Sequence, residues 1–187
     1  MDKKELRKEK RKARKALQGT ARQLAQKAIT ERIQNLDVYK NAKTVLSFLA
    51  FDGEVELFEL HRAMEAEGKQ VAYPYCVGKT SMVALIPKDE NSYGKDLYGL
   101  KVPLMEASQK VEPEDIDVIL TPLVAFDENC HRLGMGAGIY DRFLPQCKKA
   151  VKIGVAFETQ KVDRLVTEEF DVPLNGVITE KDLYTGK

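Results

Sequence analysis

Three cysteines and two histidines are all that this 187-residue chain has of those types. Cys76, Cys130 and Cys147 are odd in number and include no Cys-x-x-Cys pair, so neither a disulfide framework nor a cysteine zinc site is indicated. Free thiols suit a reducing compartment, and a cytoplasmic location is expected. His61 and His131 are too few for a histidine-based metal site, and both are expected on the solvated surface. No apolar run approaches the roughly 20 residues of a membrane helix, so no membrane association is expected. The charged N-terminus lacks the apolar stretch of a secretory signal. What remains is ordinary for a soluble globular protein, with 43% hydrophobic and 32% charged residues. The length allows one domain with a sizeable core. No repeat, low-complexity segment or linker divides the chain, so residues 1–187 read as a single domain.

The net charge of +1 hides an asymmetry. Residues 1–16 hold nine Lys or Arg against three Asp or Glu, so a basic leading helix precedes an acidic body. Its charges are either a solvated face or include one or two groups that reach a polyphosphate held by the body. Nucleic acid is a third candidate. It is disfavoured because the segment lacks aromatics for base stacking and the acidic body opposes broad contact.

Hydrophobic spacing predicts a helix over residues 3–17. A second carries Leu24, Ala25, Ala28, Ile29, Ile33 and Leu36 as one apolar stripe. Strands are predicted at 45–51, 70–77, 82–87, 117–126, 151–157 and around 176–180, with a helix from Leu57 that stops at Gly68. The Gly78-Lys79-Thr80 triplet lacks the upstream glycine of a phosphate-binding loop and lies between strands, so it reads as a hairpin turn. Residues 89–114 read as a long functional loop with short pieces of structure. Strands alternating with helices predict an α/β single-domain layered fold with a largely parallel central sheet flanked by helices.

The segment RLGMGAGIYDRF, Arg132 to Phe143, follows the predicted strand 117–126 and opens a predicted helix. A strand, a glycine turn and a helix start can aim backbone N–H groups at an anion. The glycine spacing departs from the dinucleotide fingerprint, and a plain tight turn would account for Gly134, Gly136 and Gly138 alone. A turn does not require Arg132, Tyr140, Asp141 or Arg142, which add a phosphate partner and a possible metal ligand.

VAFDENCHRLGMGAGIYDRFL (residues 124–144) resembles the signature of the 5-formyltetrahydrofolate cyclo-ligases, also called methenyltetrahydrofolate synthetases. KKELR (Lys3 to Arg7) is similar to the family's phosphate-contacting Lys-x-x-Leu-Arg helix, and GEVE (Gly53 to Glu56) to its folate-contacting Glu-x-x-Thr turn. YGLKVP (98–103) and AFETQKVDRLVTEEFDVPLNGVITE (156–180) extend the resemblance nearly end to end. Leu57 stands where the family has threonine, Leu123 and Ile139 also depart from its pattern, and a glycine common before Arg-Leu-Gly is replaced around Cys130.

The resemblance implies an enzyme that turns 5-formyltetrahydrofolate into 5,10-methenyltetrahydrofolate with ATP as co-substrate and Mg²⁺ as cofactor. It places ATP contacts on Lys3, Lys4, Arg7, Arg132 and the run Leu133, Gly134, Met135, Gly136, Ala137, Gly138, Ile139 and Tyr140. Folate contacts fall on Leu49, Glu54 and, within that run, Met135, Gly136, Ala137, Gly138 and Ile139. Asp141 and Asp171 are the implied Mg²⁺ ligands, and Tyr140 and Arg132 the implied catalytic residues. For Tyr140 a packed core tyrosine is the competing reading. Only small-molecule partners are expected, with a monomer or weak homodimer. A nucleotide or sugar-phosphate binding protein without ligase activity is the alternative, because a fold does not fix a function.

Overall fold

The leading basic segment forms α1 (Lys3–Ala16) in a computed structural model that describes residues 2–186. Its N-cap Asp2 accepts the Glu5 amide N–H at 2.7 Å, satisfying one of the helix's open donors. α2 (Gly19–Gln34) buries Ala25, Ile29 and Ile33, each burial stabilising by about 1.5–3 kcal/mol for the larger side chains. Leu24 is 62% exposed, so the apolar stripe is narrower than the spacing predicted. A short α3 (Asp37–Asn41) leads into β1 (Thr44–Leu46). α4 (Phe58–Ala66) buries Leu60 and Met64. β2 (Gln70–Val77) and β3 (Ser81–Pro87) then form an antiparallel hairpin around Gly78, as the sequence indicated.

The predicted long loop holds more structure than expected. It contains the small hairpin β4 (Tyr93–Lys95) and β5 (Lys101–Pro103), then β6 (Ser108–Val111), which pairs with β3. Next come β7 (Val118–Pro122), β8 (Ala125–Phe126), β9 (Arg132–Leu133) and α5 (Ile139–Phe143). β10 (Val151–Val155), β11 (Gly176–Ile178) and β12 (Leu183–Tyr184) complete the chain.

Among the described residues an eight-stranded sheet runs in the order β12-β11-β10-β7-β1-β2-β3-β6. The five strands from β11 to β2 pair in parallel, and the outer strands are antiparallel. This is the expected α/β layered fold with a largely parallel central sheet. Strand side chains alternate between two cores. Val45, Val118 and Leu120 pack with α2 and α4 on one face, while Leu46 and Ile119 pack with Phe143, Leu144 and Cys147 on the other. β1 continues to β2 on one side and has β7 on the other, so the chain order reverses beside β1. Ligands of open α/β sheets bind at the carboxyl ends of strands at such a reversal.

Three expectations are corrected here. The strand predicted at 45–51 ends at Leu46. The Ser47 N–H still reaches the Ala72 carbonyl, but the chain beyond it leaves the sheet. The strand predicted at 117–126 breaks after Pro122. Proline donates nothing to a ladder, and the next carbonyl, Leu123 O, is taken by Arg14 at 3.1 Å and Gln160 at 2.7 Å. His61 is not on the surface: it is 6% exposed, with Nε2 2.6 Å from the buried Ser47 Oγ and its ring edge-on to Tyr73. Burial lowers its pKa to about 4, so it is neutral. His131 is half-exposed, and its Nδ1 lies 3.1 Å from the Asp127 carboxylate.

Candidate active site

A cleft of about 610 Å³ opens at the strand ends identified above. Its floor is Phe48 to Ala50, leaving β1, and Pro122 to Val124, leaving β7. One wall is made by α1, the glycine segment and residues 164–171. The other is made by β2, β3 and the β4–β5 hairpin, with Tyr73, Met82, Tyr98, Lys101 and Val102 facing the cleft.

The first wall is charged and tied together. The Arg7 Nε donates to Gly134 O at 2.8 Å, joining α1 to the glycine loop. Gly136 has φ 113°, a left-handed conformation that suits glycine, and a Cβ there would lie 3.5 Å from the Arg7 guanidinium. Gly138, at φ 68°, precedes α5 and lets the chain turn into that helix. α5 is only five residues long, because Pro145 follows and the chain tightens into a 3-10 turn. Arg132 is almost wholly buried, and its Nη1 donates to Asp141 Oδ1 at 2.9 Å. The same carboxylate oxygen accepts the Val172 N–H at 3.2 Å. Lys3 Nζ reaches Glu168 at 3.2 Å and Asp171 at 3.6 Å, and Asp171 Oδ2 accepts the Glu168 N–H at 2.8 Å.

α1 therefore carries both kinds of charge that its sequence allowed. Lys3, Arg7, Lys10, Arg11 and Arg14 recur at spacings of three and four and grip the body. Lys4, Lys8 and Lys12 lie on the exposed side. Lys4 does not line the cleft, unlike the other residues named for ATP.

The grip centres on Asp52, which adopts φ 53° in the turn after β1. Its carboxylate receives Arg11 at 2.6 Å, Arg14 at 3.1 Å and the Lys15 ammonium. The Arg11 hydrogen bond, despite partial burial, holds this carboxyl far below the usual carboxylate range. Arg14 is fully buried and also donates to Asp52 O and Leu123 O. Arg22 donates to Gly53 O and Glu54 O at 2.9 and 2.8 Å. The turn that carries Glu54 is thus fixed from two helices.

Glu54 is 8% exposed and faces the cleft. Burial raises its pKa to about 7, against the opposing pull of the Phe51 N–H bond and Arg14. Tyr140 is half-buried as a residue, yet its hydroxyl is sealed from solvent without a hydrogen-bond partner among the described residues. An unpaired buried hydroxyl costs about 1–3 kcal/mol. Burial, reinforced by Glu54, pushes this phenol up and keeps it protonated.

The cleft brings together Leu49, Glu54, Lys3, Arg7, Arg132 to Asp141 and Asp171. Sequence reasoning missed the Asp52 clamp, although the Arg spacing on α1 and the Asp-Gly turn were signals for it. It also missed Asp127, whose buried carboxylate accepts the Asn129, His131 and Leu165 N–H groups and so folds the 164–171 segment over the site. Cys130, at the position where a glycine is common, has φ 63°; its N–H donates to Asp127 O at 3.0 Å. The turn keeps a glycine-like shape without glycine. Leu57, where threonine was expected, is buried in the core and gives α4 no side-chain cap.

The 5-formyltetrahydrofolate cyclo-ligase family model matches residues 1–180. A 5-formyltetrahydrofolate cyclo-ligase of Haemophilus influenzae is 31% identical over 93% of this chain and 95% of its own length. The Escherichia coli protein of that name is 36% identical over 76% of this chain and 81% of its own. The solution structure of Aquifex aeolicus 5,10-methenyltetrahydrofolate synthetase superposes with a TM-score of 0.87 at 31% identity, covering 99% of this chain and 93% of that one. The chain belongs to the 5-formyltetrahydrofolate cyclo-ligase family, and it is an enzyme.

Proposed function

We propose that this enzyme converts 5-formyltetrahydrofolate and ATP into 5,10-methenyltetrahydrofolate, ADP and phosphate by phosphorylating the formyl oxygen. The observation that carries the reading is one cleft that joins a cationic glycine-loop wall to an apolar pocket holding a buried carboxyl group, Glu54. The chemical difficulty is that the formyl group on N5 is amide-like and its oxygen is a hopeless leaving group. The formyl oxygen attacks the γ-phosphorus and ADP leaves. N10 then attacks the formyl carbon, the C–O bond breaks, phosphate carries that oxygen away, and N10 loses its proton. The product is the N5–C–N10 amidinium cation.

Lys3, Arg7 and Arg132 bind the triphosphate, with backbone N–H groups between Leu133 and Ile139 around it. Arg132 acts on the charge that builds on the transferring group. Tyr140 donates its unpaired hydroxyl to the reacting formyl or phosphate oxygen. Glu54 hydrogen-bonds the folate and sets its orientation, and Leu49 and its neighbours exclude water.

No group of three His, Cys, Asp or Glu able to hold a metal occurs among the described residues. Asp141 and Asp171 still fit Mg²⁺. Both line the cleft, and each has one carboxylate oxygen without a hydrogen-bond partner among the described residues. Magnesium characteristically takes one or two carboxylates and completes its shell with phosphate oxygens and water. When bound there it would neutralise phosphate charge. The enzyme is read as a cytoplasmic monomer or weak homodimer acting on small molecules alone.

The test is the absorbance of the methenyl product with protein, 5-formyltetrahydrofolate, Mg²⁺ and ATP, each omitted in turn. A rise that requires all four supports the reading. A rise without ATP, or none with the full set, refutes it.

A further inference from the structure

The β4–β5 hairpin contains an arrangement that folding alone disfavours. Lys95 and Lys101 are direct partners in the antiparallel pair, so their side chains emerge side by side on one face. Like charges in that relation are destabilising, and strands of three residues have little stability to lose. No carboxylate pairs with either ammonium among the described residues. Asp96, the adjacent acid, accepts the Tyr98 and Leu100 N–H groups through Oδ1 at 2.8 and 2.9 Å. Lys101 also lines the cleft, with Nζ 4.1 Å from the Tyr93 ring centroid. Two unneutralised cations side by side, one of them lining a ligand cleft, make an anion site in waiting.

Which anion it takes follows from where the hairpin lies. Its second strand packs against β2 and β3. Lys3, Arg7 and Arg132 already gather cationic charge for a triphosphate at α1 and the glycine loop. The folate's remaining charge is its glutamyl tail, two carboxylates joined to the ring system through an aminobenzoyl linker. On the folate reading the pterin lies at Glu54 and the formyl group at the glycine loop, and Tyr98 and Lys101 of the hairpin line the same cleft, free to meet the tail. The geometry points to Lys101, assisted by Lys95, as the site that binds the glutamyl carboxylates of the folate; this rests on the folate reading of the cleft given above. A lysine–carboxylate contact on an exposed rim corresponds to about two- to fivefold in affinity. The charge of the tail, rather than its ring system, would then be what this wall discriminates.

The experiment compares two ligands with the full-length protein, without ATP, by calorimetry. One is 5-formyltetrahydrofolate; the other is 5-formyltetrahydropteroate, which keeps the rings and the formyl group but lacks the glutamate. The wild type should bind the folate more tightly. Lys101→Met should cut that preference about two- to fivefold, Lys95→Met should cut it less, and Lys101→Arg should largely restore it. An equal loss for both ligands in Lys101→Met overturns the proposal, because the lysine then supports the wall and not the tail. In a separate ATP titration of the same variants, a loss confined to ATP binding also overturns it and assigns the lysines to phosphate. If the wild type binds neither folate compound, this proposal and the functional reading fall together. If it binds the folate through Lys101 but forms no methenyl product with ATP, the tail site stands and the ligase reading fails.

Discussion

The two walls of the cleft are built on different principles. The glycine-loop wall is held by charge: Arg7 to Gly134 O, Arg132 to Asp141, and three cations of α1 on Asp52. Its groups are placed before any ligand arrives, as efficient electrostatic catalysis requires. The hairpin wall is held by strand pairing rather than by charge. Leu97 and Tyr98 at its tip are 100% and 86% exposed, although Tyr98 lines the cleft. Apolar side chains left in water at a ligand site gain burial only when the ligand comes. The contrast assigns rate to the first wall and substrate selection to the second. Substitutions on the first should therefore lower kcat or raise the ATP KM, and those on the second should raise the folate KM.

The largest effect is expected at Arg132. Arg132→Ala should lower kcat/KM for ATP by about 10²–10³-fold, the magnitude of losing one well-placed donor to developing charge. Arg132→Lys should recover part of it. A variant with unchanged ATP kinetics would remove the residue from the phosphate site and blur the distinction between the walls.

Asp52→Ala acts on the glycine-loop wall and on the turn that carries Glu54. It leaves the buried Arg14 without its carboxylate partner, and breaking a buried pair costs about 3–5 kcal/mol. Urea denaturation should show a loss near the lower end of that range, because Asp52 is partly exposed. A loss under about 0.5 kcal/mol, the level of an ordinary surface change, would mean that α1 is held in some other way.

Glu54→Gln should raise the folate KM about tenfold and change the ATP KM much less, as loss of a charge-assisted hydrogen bond predicts. Equal losses would indicate a general collapse of the site. The same variant has a pH signature. Glu54 has a folded pKa of about 7, above its unfolded value, so folded protein binds more protons and loses stability as pH rises through 4.5–7. His61 works in the opposite sense. Its folded pKa of about 4 lies below its unfolded value, so its contribution is present above pH 6.5 and is lost as pH falls toward 4. Glu54→Gln should therefore stabilise the protein more at pH 8 than at pH 5, measured by thermal midpoint. A pH-independent difference would contradict the burial of a titrating carboxyl.

The smallest effect should come from the outer face of α1. Replacing Lys4, Lys8 and Lys12 by alanine should change stability by less than about 0.5 kcal/mol per site and leave the ATP KM alone, whereas Lys3→Ala should raise it. A rise from Lys4→Ala would return that residue to the phosphate site.

The sequence exposed the glycine-loop wall better than the hairpin wall, for a physical reason. Arg132, Gly136, Gly138 and Asp141 are close in the chain, and their conformational and charge demands are local. The parallel order of the central strands was equally legible, because β-branched runs alternate with helical spacing. Asp52 was legible only in part: the Arg spacing on α1 and the Asp-Gly turn are local signals, but that three cations of α1 meet at this one carboxylate emerges only with packing. His61 misled for a similar reason: a polar residue in a short helix reads as exposed until Ser47 and Tyr73 close over it. The β4–β5 strands are too short for alternation to register, so the Lys95–Lys101 pairing emerged only with the fold.

The central claim is that the phosphoryl group is transferred to the formyl oxygen within this one cleft. The most direct test uses 5-formyltetrahydrofolate labelled with oxygen-18 in the formyl group, turned over with ATP in unlabelled water, and follows the label by mass spectrometry of the released phosphate. The account predicts one labelled oxygen in each phosphate released. Label found in water, with none in the phosphate, would contradict it.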